Sequence, residues 1–140
     1  MSVNRRQFVG LSLSAAAAAA LFPGIASANL VDEAMAGFTG GADMSDEGIT
    51  LIAPEIAENG NTVPIEVSAP GAEAIIVLAA GNPNPNVATF NFGPLSANQA
   101  ASTRIRLAGE QDVVAIARMP DGSFRRAVAN VKVTIGGCGG

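Results

Sequence analysis

One side chain in this sequence is placed for covalent chemistry. Cys138 is the single cysteine of the 140 residues, and it stands between two glycine pairs in Gly136-Gly137-Cys138-Gly139-Gly140. Glycine lacks a Cβ and samples both signs of φ, so the stretch favours no one shape and fills no core. Three peptide units separate Ile135 from Cys138, a span of roughly 10 Å when extended. These residue types predict a thin, flexible carrier arm over residues 136–140 that holds a thiol outward. Such a thiol can carry a covalent adduct or pair with another chain. Burial, the common fate of a free cysteine, is disfavoured by its place outside any apolar run and near a chain end.

The thiol has no base of its own. The chain contains no histidine, and the terminal carboxylate at Gly140 opposes thiolate formation. An ordinary thiol is mostly protonated at neutral pH. Cys138 therefore reads as a handle for a covalently held group, activated by partner proteins, and the chain as a carrier that is not an enzyme and needs no cofactor. Without histidine there is no Ser-His-Asp triad, no His-bound zinc and no blue-copper site. A single cysteine removes CxxC redox chemistry and iron–sulfur ligation.

Something must deliver and position this arm. At the other end, Arg5-Arg6-Gln7-Phe8-Val9 opens a small-residue apolar run that reaches Ala26-Ser27-Ala28. A positive start, an apolar run and an A-x-A site make an export signal. The arginine pair followed by Phe8 matches the twin-arginine type, the alternative being a general secretory signal. Residues 1–28 are expected to be cleaved after Ala28, leaving a periplasmic protein with no membrane anchor. Pro23-Gly24 breaks the run and the remainder is short for a bilayer span. Loss of Arg5 and Arg6 leaves 6 basic against 12 acidic residues, net −6, which opposes nucleic-acid binding.

Residues 29–62 read as a helix and a loop. Asn29 is placed to cap a helix over Leu30–Phe38, with Val31, Met35 and Phe38 on one face and Thr39-Gly40-Gly41 at its end. Asp43, Asp46, Glu47, Glu55 and Glu58 make a solvated acidic stretch, because Asp43-Met44-Ser45-Asp46 lacks the alternating ligands of a calcium loop. Ile49–Ile52 suggests a short strand, and Glu58-Asn59-Gly60-Asn61 a turn.

Residues 63–135 alternate as strands. Val63, Ile65 and Val67 point inward, with Pro64 marking an edge or a strand start. Ala74–Ala79 is apolar throughout and reads as covered on both faces. Gly81–Asn86 is a rigid polar loop. Ala88, Phe90 and Phe92, then Ile105 and Leu107, then Val113–Ala117 continue the pattern. Pro120-Asp121-Gly122-Ser123 is a hairpin turn into Phe124–Ala129, and Val131, Val133 and Ile135 close the run. About seven short strands at regular spacing predict an all-β, antiparallel, immunoglobulin-like β-sandwich. Its last strand anchors the arm. Arg104, Arg106, Arg118, Arg125 and Arg126 fall in the later strands. They read as a solvated face, the rival being a cationic surface for an anion or an acidic partner.

The sequence resembles the SoxY family, sulfur-carrying subunits of the SoxYZ complex of bacterial thiosulfate oxidation. The resemblance rests on Asn4-Arg5-Arg6-Gln7-Phe8, on Pro54-Glu55-Ile56-Ala57-Glu58-Asn59-Gly60, and above all on Val131 to Gly140. It implies that Cys138 is the point of covalent sulfur attachment, loaded with thiosulfate by a c-type haem enzyme. It implies sulfate release by a manganese hydrolase and oxidation of the remaining sulfur by a molybdenum sulfur dehydrogenase where one exists. It implies a heterodimer with SoxZ, exported as a folded pair. Two rivals remain: a Gly-Gly carrier activated as a thiocarboxylate at Gly140, whose chemistry needs ATP, and a structural sandwich with an intermolecular disulfide at Cys138.

Overall fold

The computed structural model describes residues 23–137, with side chains from Leu30 onward. Arg5 and Arg6 of the export signal, and Cys138, Gly139 and Gly140 of the arm, lie outside the described residues. Helix α1 (Pro23–Thr39) is followed by β1 (Met44–Ser45), β2 (Thr50–Ile52), β3 (Ile56–Asn59), β4 (Val63–Ser68), β5 (Ala74–Ala79), β6 (Asn86–Asn91), β7 (Ala100–Ile105), β8 (Gln111–Arg118) and β9 (Phe124–Ile135). The strands form two sheets. The larger has the order β1-β9-β8-β5-β6 with β3 also on β9, and the smaller is β2-β4-β7. Among the described residues no helix is long and apolar enough to cross a membrane.

Alternation explains the smaller sheet. Val63, Ile65 and Val67 of β4 are buried while Pro64 and Glu66 are exposed, the period of a half-covered strand. β4 is central in its sheet, yet β2 pairs only with Glu66, Val67 and Ser68. Over Pro64 the strand has β7 alone as a neighbour, so a residue without an N–H breaks no ladder on the open side.

The larger sheet is covered on both faces. Ile75, Val77 and Ala79 of β5 meet Val113, Ala115, Val131 and the smaller sheet in the main core. Ile76 and Leu78 of β5 point the other way and join Val114, Ile116 and Phe124 under Val31, Met35 and Phe38 of α1. The apolar run Ala74–Ala79 is thus a strand with two covers, as its composition predicts, and the second cover is the helix. Phe38 meets Phe124 edge-on, with centroids 5.8 Å apart, and the Arg118 guanidinium lies 5.4 Å over the Phe38 ring. α1 starts earlier than the sequence predicts: Pro23 fits a first helical turn, and Asn29 lies inside the helix rather than capping it. Gly40 follows at φ +66 with its N–H on the Ala36 carbonyl, a left-handed C-terminal stop.

The sandwich begins at Met44, not at Val63. β1 and β3 add parallel pairings to β9 at one edge of an otherwise antiparallel sheet. β3 covers Ile56–Asn59, where a loop and a turn were expected, because its partner is 76 residues away in the register Ile56↔Lys132. Nothing local signals such a pairing. The acidic stretch between them faces two of the arginines: Arg126 meets Asp46 at 3.3 Å and Arg125 donates to the Glu47 carbonyl. Elsewhere, Arg118 meets Glu73, just before β5, at 3.6 Å. Arg104 also donates to the Thr62 hydroxyl at 3.5 Å, so four of the five arginines are engaged within the chain.

Candidate functional site

β9 is the element that leads to the thiol. It is 12 residues long and changes partners along its length. It pairs with β8 through Val131 and with β3 from Lys132 to Ile135. The last turn of the sequence pattern, Val131-Lys132-Val133, is held from both sides of the strand.

Beyond Ile135 the backbone enters a crossing of three segments. The Gly60 N–H donates to the Ile135 carbonyl at 2.7 Å, the Leu107 N–H to the Gly60 carbonyl at 2.8 Å, and the Gly137 N–H to the Leu107 carbonyl at 2.8 Å. Gly60 and Leu107 thus each use both backbone groups, and the ladder starts and ends on the two neighbours of Gly136. Gly60, Leu107 and Gly137 are buried. Glycine is required here by space. A Cβ on Gly60 would collide with the Leu107 carbonyl oxygen and lie 2.7 Å from the Gly137 nitrogen. A Cβ on Gly136 would collide with the Ala108 carbonyl oxygen, and one on Gly137 would lie 2.8 Å from the Gly60 oxygen.

Within the arm expected to be flexible over residues 136–140, Gly137 is buried and hydrogen-bonded, and Gly136, though exposed, stands between two bonded neighbours. The sequence motif holds glycines at these two positions because backbones cross there at close range, a use of glycine that looks identical to flexibility in one dimension.

A second layer holds Leu107 in place. Asn82 is 1 % exposed. Its Nδ2 donates to the Arg106 carbonyl at 2.8 Å, and its Oδ1 accepts from the Ala108 N–H at 2.9 Å and from Gln111 Nε2 at 2.9 Å. Gln111 also donates to the Gly109 carbonyl and accepts from the Gly81 N–H at 2.8 Å. The residues on either side of Leu107 are therefore tied to one buried amide. Every member of this network is a neutral amide or backbone group, so it carries no proton to lose. Sequence reading found the loop Gly81–Asn86 but not this role. The signal available was an asparagine in a proline-rich loop, which is also ordinary turn chemistry.

Around the crossing the surface is apolar and grooved. Ile135 is 65 % exposed and Ile56 62 %. A groove of about 300 Å³ runs along Pro54, Ile56, Asn59 and Thr62, and a larger one of about 550 Å³ continues past Pro54 and Pro64 to Ile52, Glu66 and Arg104. Among the described residues no group of three or more His, Cys, Asp or Glu side chains is placed to hold a metal. Among the described residues the one clearly perturbed carboxyl is remote, in the β8–β9 hairpin: Ser123 donates its hydroxyl and its N–H to Asp121 and holds that carboxyl below its usual range.

Comparison with known proteins places this geometry. The family model described as "Sulfur oxidation protein SoxY" matches residues 35–138. Among solved structures, the sulfur carrier protein SoxY from Chlorobium limicola f thiosulfatophilum is 37% identical, with a TM-score of 0.66 over 77% of this chain and 99% of that one. A superoxide reductase (neelaredoxin) variant from Ignicoccus hospitalis has a TM-score of 0.56 at 20% identity, over 64% of this chain and 82% of that one, a likeness of fold alone. No curated protein matches the sequence.

Proposed function

This chain belongs to the family of the sulfur oxidation protein SoxY, and from that premise we propose that it is a periplasmic sulfur carrier which holds thiosulfate-derived sulfur covalently on Cys138. The observation that carries the reading is the delivery of the chain by β9. A long strand, held on both sides and ending in a buried crossing, brings the backbone to Gly137, one peptide bond from the only thiol.

In this reading the chemistry is divided between the carrier and its partners. Coupling joins the Cys138 sulfur to the sulfane sulfur of thiosulfate. The thiol proton leaves to water, and an electron pair passes to a c-type haem enzyme, the oxidant. Hydrolysis by a manganese enzyme then cleaves the bond between sulfane sulfur and sulfonate sulfur. Water supplies the oxygen of the released sulfate and the proton left on the Cys138 persulfide. A molybdenum sulfur dehydrogenase oxidises the remaining sulfur where one is present. The carrier supplies a nucleophilic sulfur and its placement, and no base. The partner SoxZ completes a heterodimer, and the arginine pair Arg5-Arg6 directs export of the folded pair, with cleavage after Ala28.

The test is the intact mass of protein isolated from cells given thiosulfate, before and after reduction, together with Cys138→Ser. Adducts on Cys138 that vanish on reduction are expected. The variant should fold and bind its partner yet support no thiosulfate-dependent turnover in a reconstituted system. Retained turnover in Cys138→Ser, or modification of the Gly140 carboxylate in place of the thiol, refutes the reading.

A further inference from the structure

We propose that Gly60 is a positioning residue: with Leu107 it clamps Gly137 and sets the point from which the thiol-bearing end of the chain leaves the platform. The proposal rests on the carrier reading and adds where the carried sulfur can go.

Three observations converge on the clamp. The hydrogen bonds form one unbroken ladder, Ile135 carbonyl to Gly60, Gly60 to Leu107, Leu107 to Gly137. Each segment that meets there is held independently. Gly60 follows β3, which is paired to β9; Leu107 follows β7 and sits between two residues bonded to Asn82; Gly137 follows β9. The contact distances leave no room for a side chain at Gly60 or Gly136. A tether needed only for slack would tolerate a methyl group at Gly136. This one does not.

The clamp changes the reach of the thiol. From Ile135, three peptide units would let the Cys138 Cα range over roughly 10 Å. From a fixed Gly137, one peptide unit limits it to about 3.8 Å. The volume open to that atom falls roughly twentyfold. An enzyme that takes the sulfur into its own site must then come down onto the rim of the crossing, where Ile135 and Thr62 are exposed.

The experiment follows amide hydrogen exchange in the full-length mature chain, comparing the native sequence with Gly60→Ala. The Gly137 amide is expected to exchange on the order of a hundredfold more slowly than in an unstructured chain. In Gly60→Ala that protection should be lost while the amides of Val113–Ala117 keep theirs. Hydrolytic release of sulfate from the Cys138 thiosulfonate by the manganese enzyme should then need a several-fold higher carrier concentration for half-saturation, with alkylation of the thiol by a small reagent not slowed. If Gly60→Ala does not fold, Gly136→Ala, whose Cβ meets only the Ala108 backbone, carries the same test. An unprotected Gly137 amide in the native chain, equal protection in a folded variant, or an unchanged half-saturating concentration with the clamp open overturns the proposal. A protected Gly137 with no sulfur ever found on Cys138 overturns the carrier reading and the positioning role with it, but leaves the hydrogen-bond ladder in place.

Discussion

Asn82 allows the support of the crossing to be tested separately from the crossing itself. Asn82→Ala removes one donor and one doubly used acceptor from a site that is 1 % exposed. Gln111 Nε2 keeps the Gly109 carbonyl as a partner, so its loss is partial. The Arg106 carbonyl and the Ala108 N–H have no such alternative within the network. Each stranded group costs about 1–3 kcal/mol. Arg106 and Ala108 are themselves exposed residues, so water reaches part of the gap and the lower half of that range applies, giving about 2–4 kcal/mol in total. For a domain of this size the midpoint of thermal unfolding should fall by roughly 10 °C. Urea unfolding followed by circular dichroism measures the loss directly, and exchange of the Leu107 and Gly137 amides should quicken more than that of the β5 and β8 amides. A loss under about 1 kcal/mol would show that the buried amide is not what holds Leu107.

The isosteric Asn82→Asp sharpens the test through pH. A carboxyl there can still accept from Ala108 and Gln111, but it can donate to the Arg106 carbonyl only when protonated. Burial and that carbonyl push its pKa up, and the Ala108 and Gln111 donors pull it down; with burial the larger, the net shift is above the unfolded value. The folded state then binds more protons than the unfolded one between the two values, so stability falls as pH rises through that window. The variant should be near native stability at the acid end and weakest at neutral pH, the reverse of ordinary acid denaturation. A pH-independent deficit would mean that the carboxyl has swung out to water and that the packing around Asn82 is loose.

Two further outcomes follow from other parts of the fold. Phe38→Ala removes the edge contact to Phe124 and the face under Arg118. Phe38 is only half-buried, so a loss of about 1.5–3 kcal/mol is expected, visible as earlier proteolytic cleavage in α1 than in the sandwich. In the β8–β9 hairpin, Asp121→Asn should cancel the benefit of a carboxylate whose pKa Ser123 lowers. That benefit exists above the unfolded pKa and is lost as pH falls through the lowered one, so the two proteins should converge in urea melts at the acid end and differ above it.

The parts of this fold that were legible in the sequence are those whose burial follows a local period. Val63, Ile65 and Val67 alternate and face one core. Ala74–Ala79 is apolar throughout and is covered twice. Met35 and Phe38 share a helical face and pack together on the sheet. The parts that were not legible depend on partners far along the chain. β3 owes its strand to Lys132–Ile135. The Arg125 and Arg126 side chains look like ordinary surface charge until β1 lies beside them and the Asp46 and Glu47 groups come within reach. The glycines are the sharpest case. In sequence Gly136 and Gly137 read as freedom, since a glycine pair beside a cysteine says only that side chains are absent. The absence serves contact instead.

That difference bears on how a carried group could be offered to several enzymes in turn. A long slack arm could reach deep pockets, but each enzyme would meet the thiol in many places and would have to order the arm before reaction. A short end leaving a fixed crossing carries less of that ordering cost, because the folded platform has already ordered Gly136 and Gly137. The trade is geometric: such an end cannot reach far, so the enzyme must approach closely, and the exposed Ile135 beside the crossing stands where that approach would be felt. The ladder also offers a route in the other direction. A partner pressing on the turn at Gly60 acts on the same hydrogen bond that holds Leu107, and through Leu107 on Gly137. The ladder from Gly60 through Leu107 to Gly137 consists of backbone groups alone, so any effect of docking passed along it should be insensitive to pH wherever the fold itself is stable.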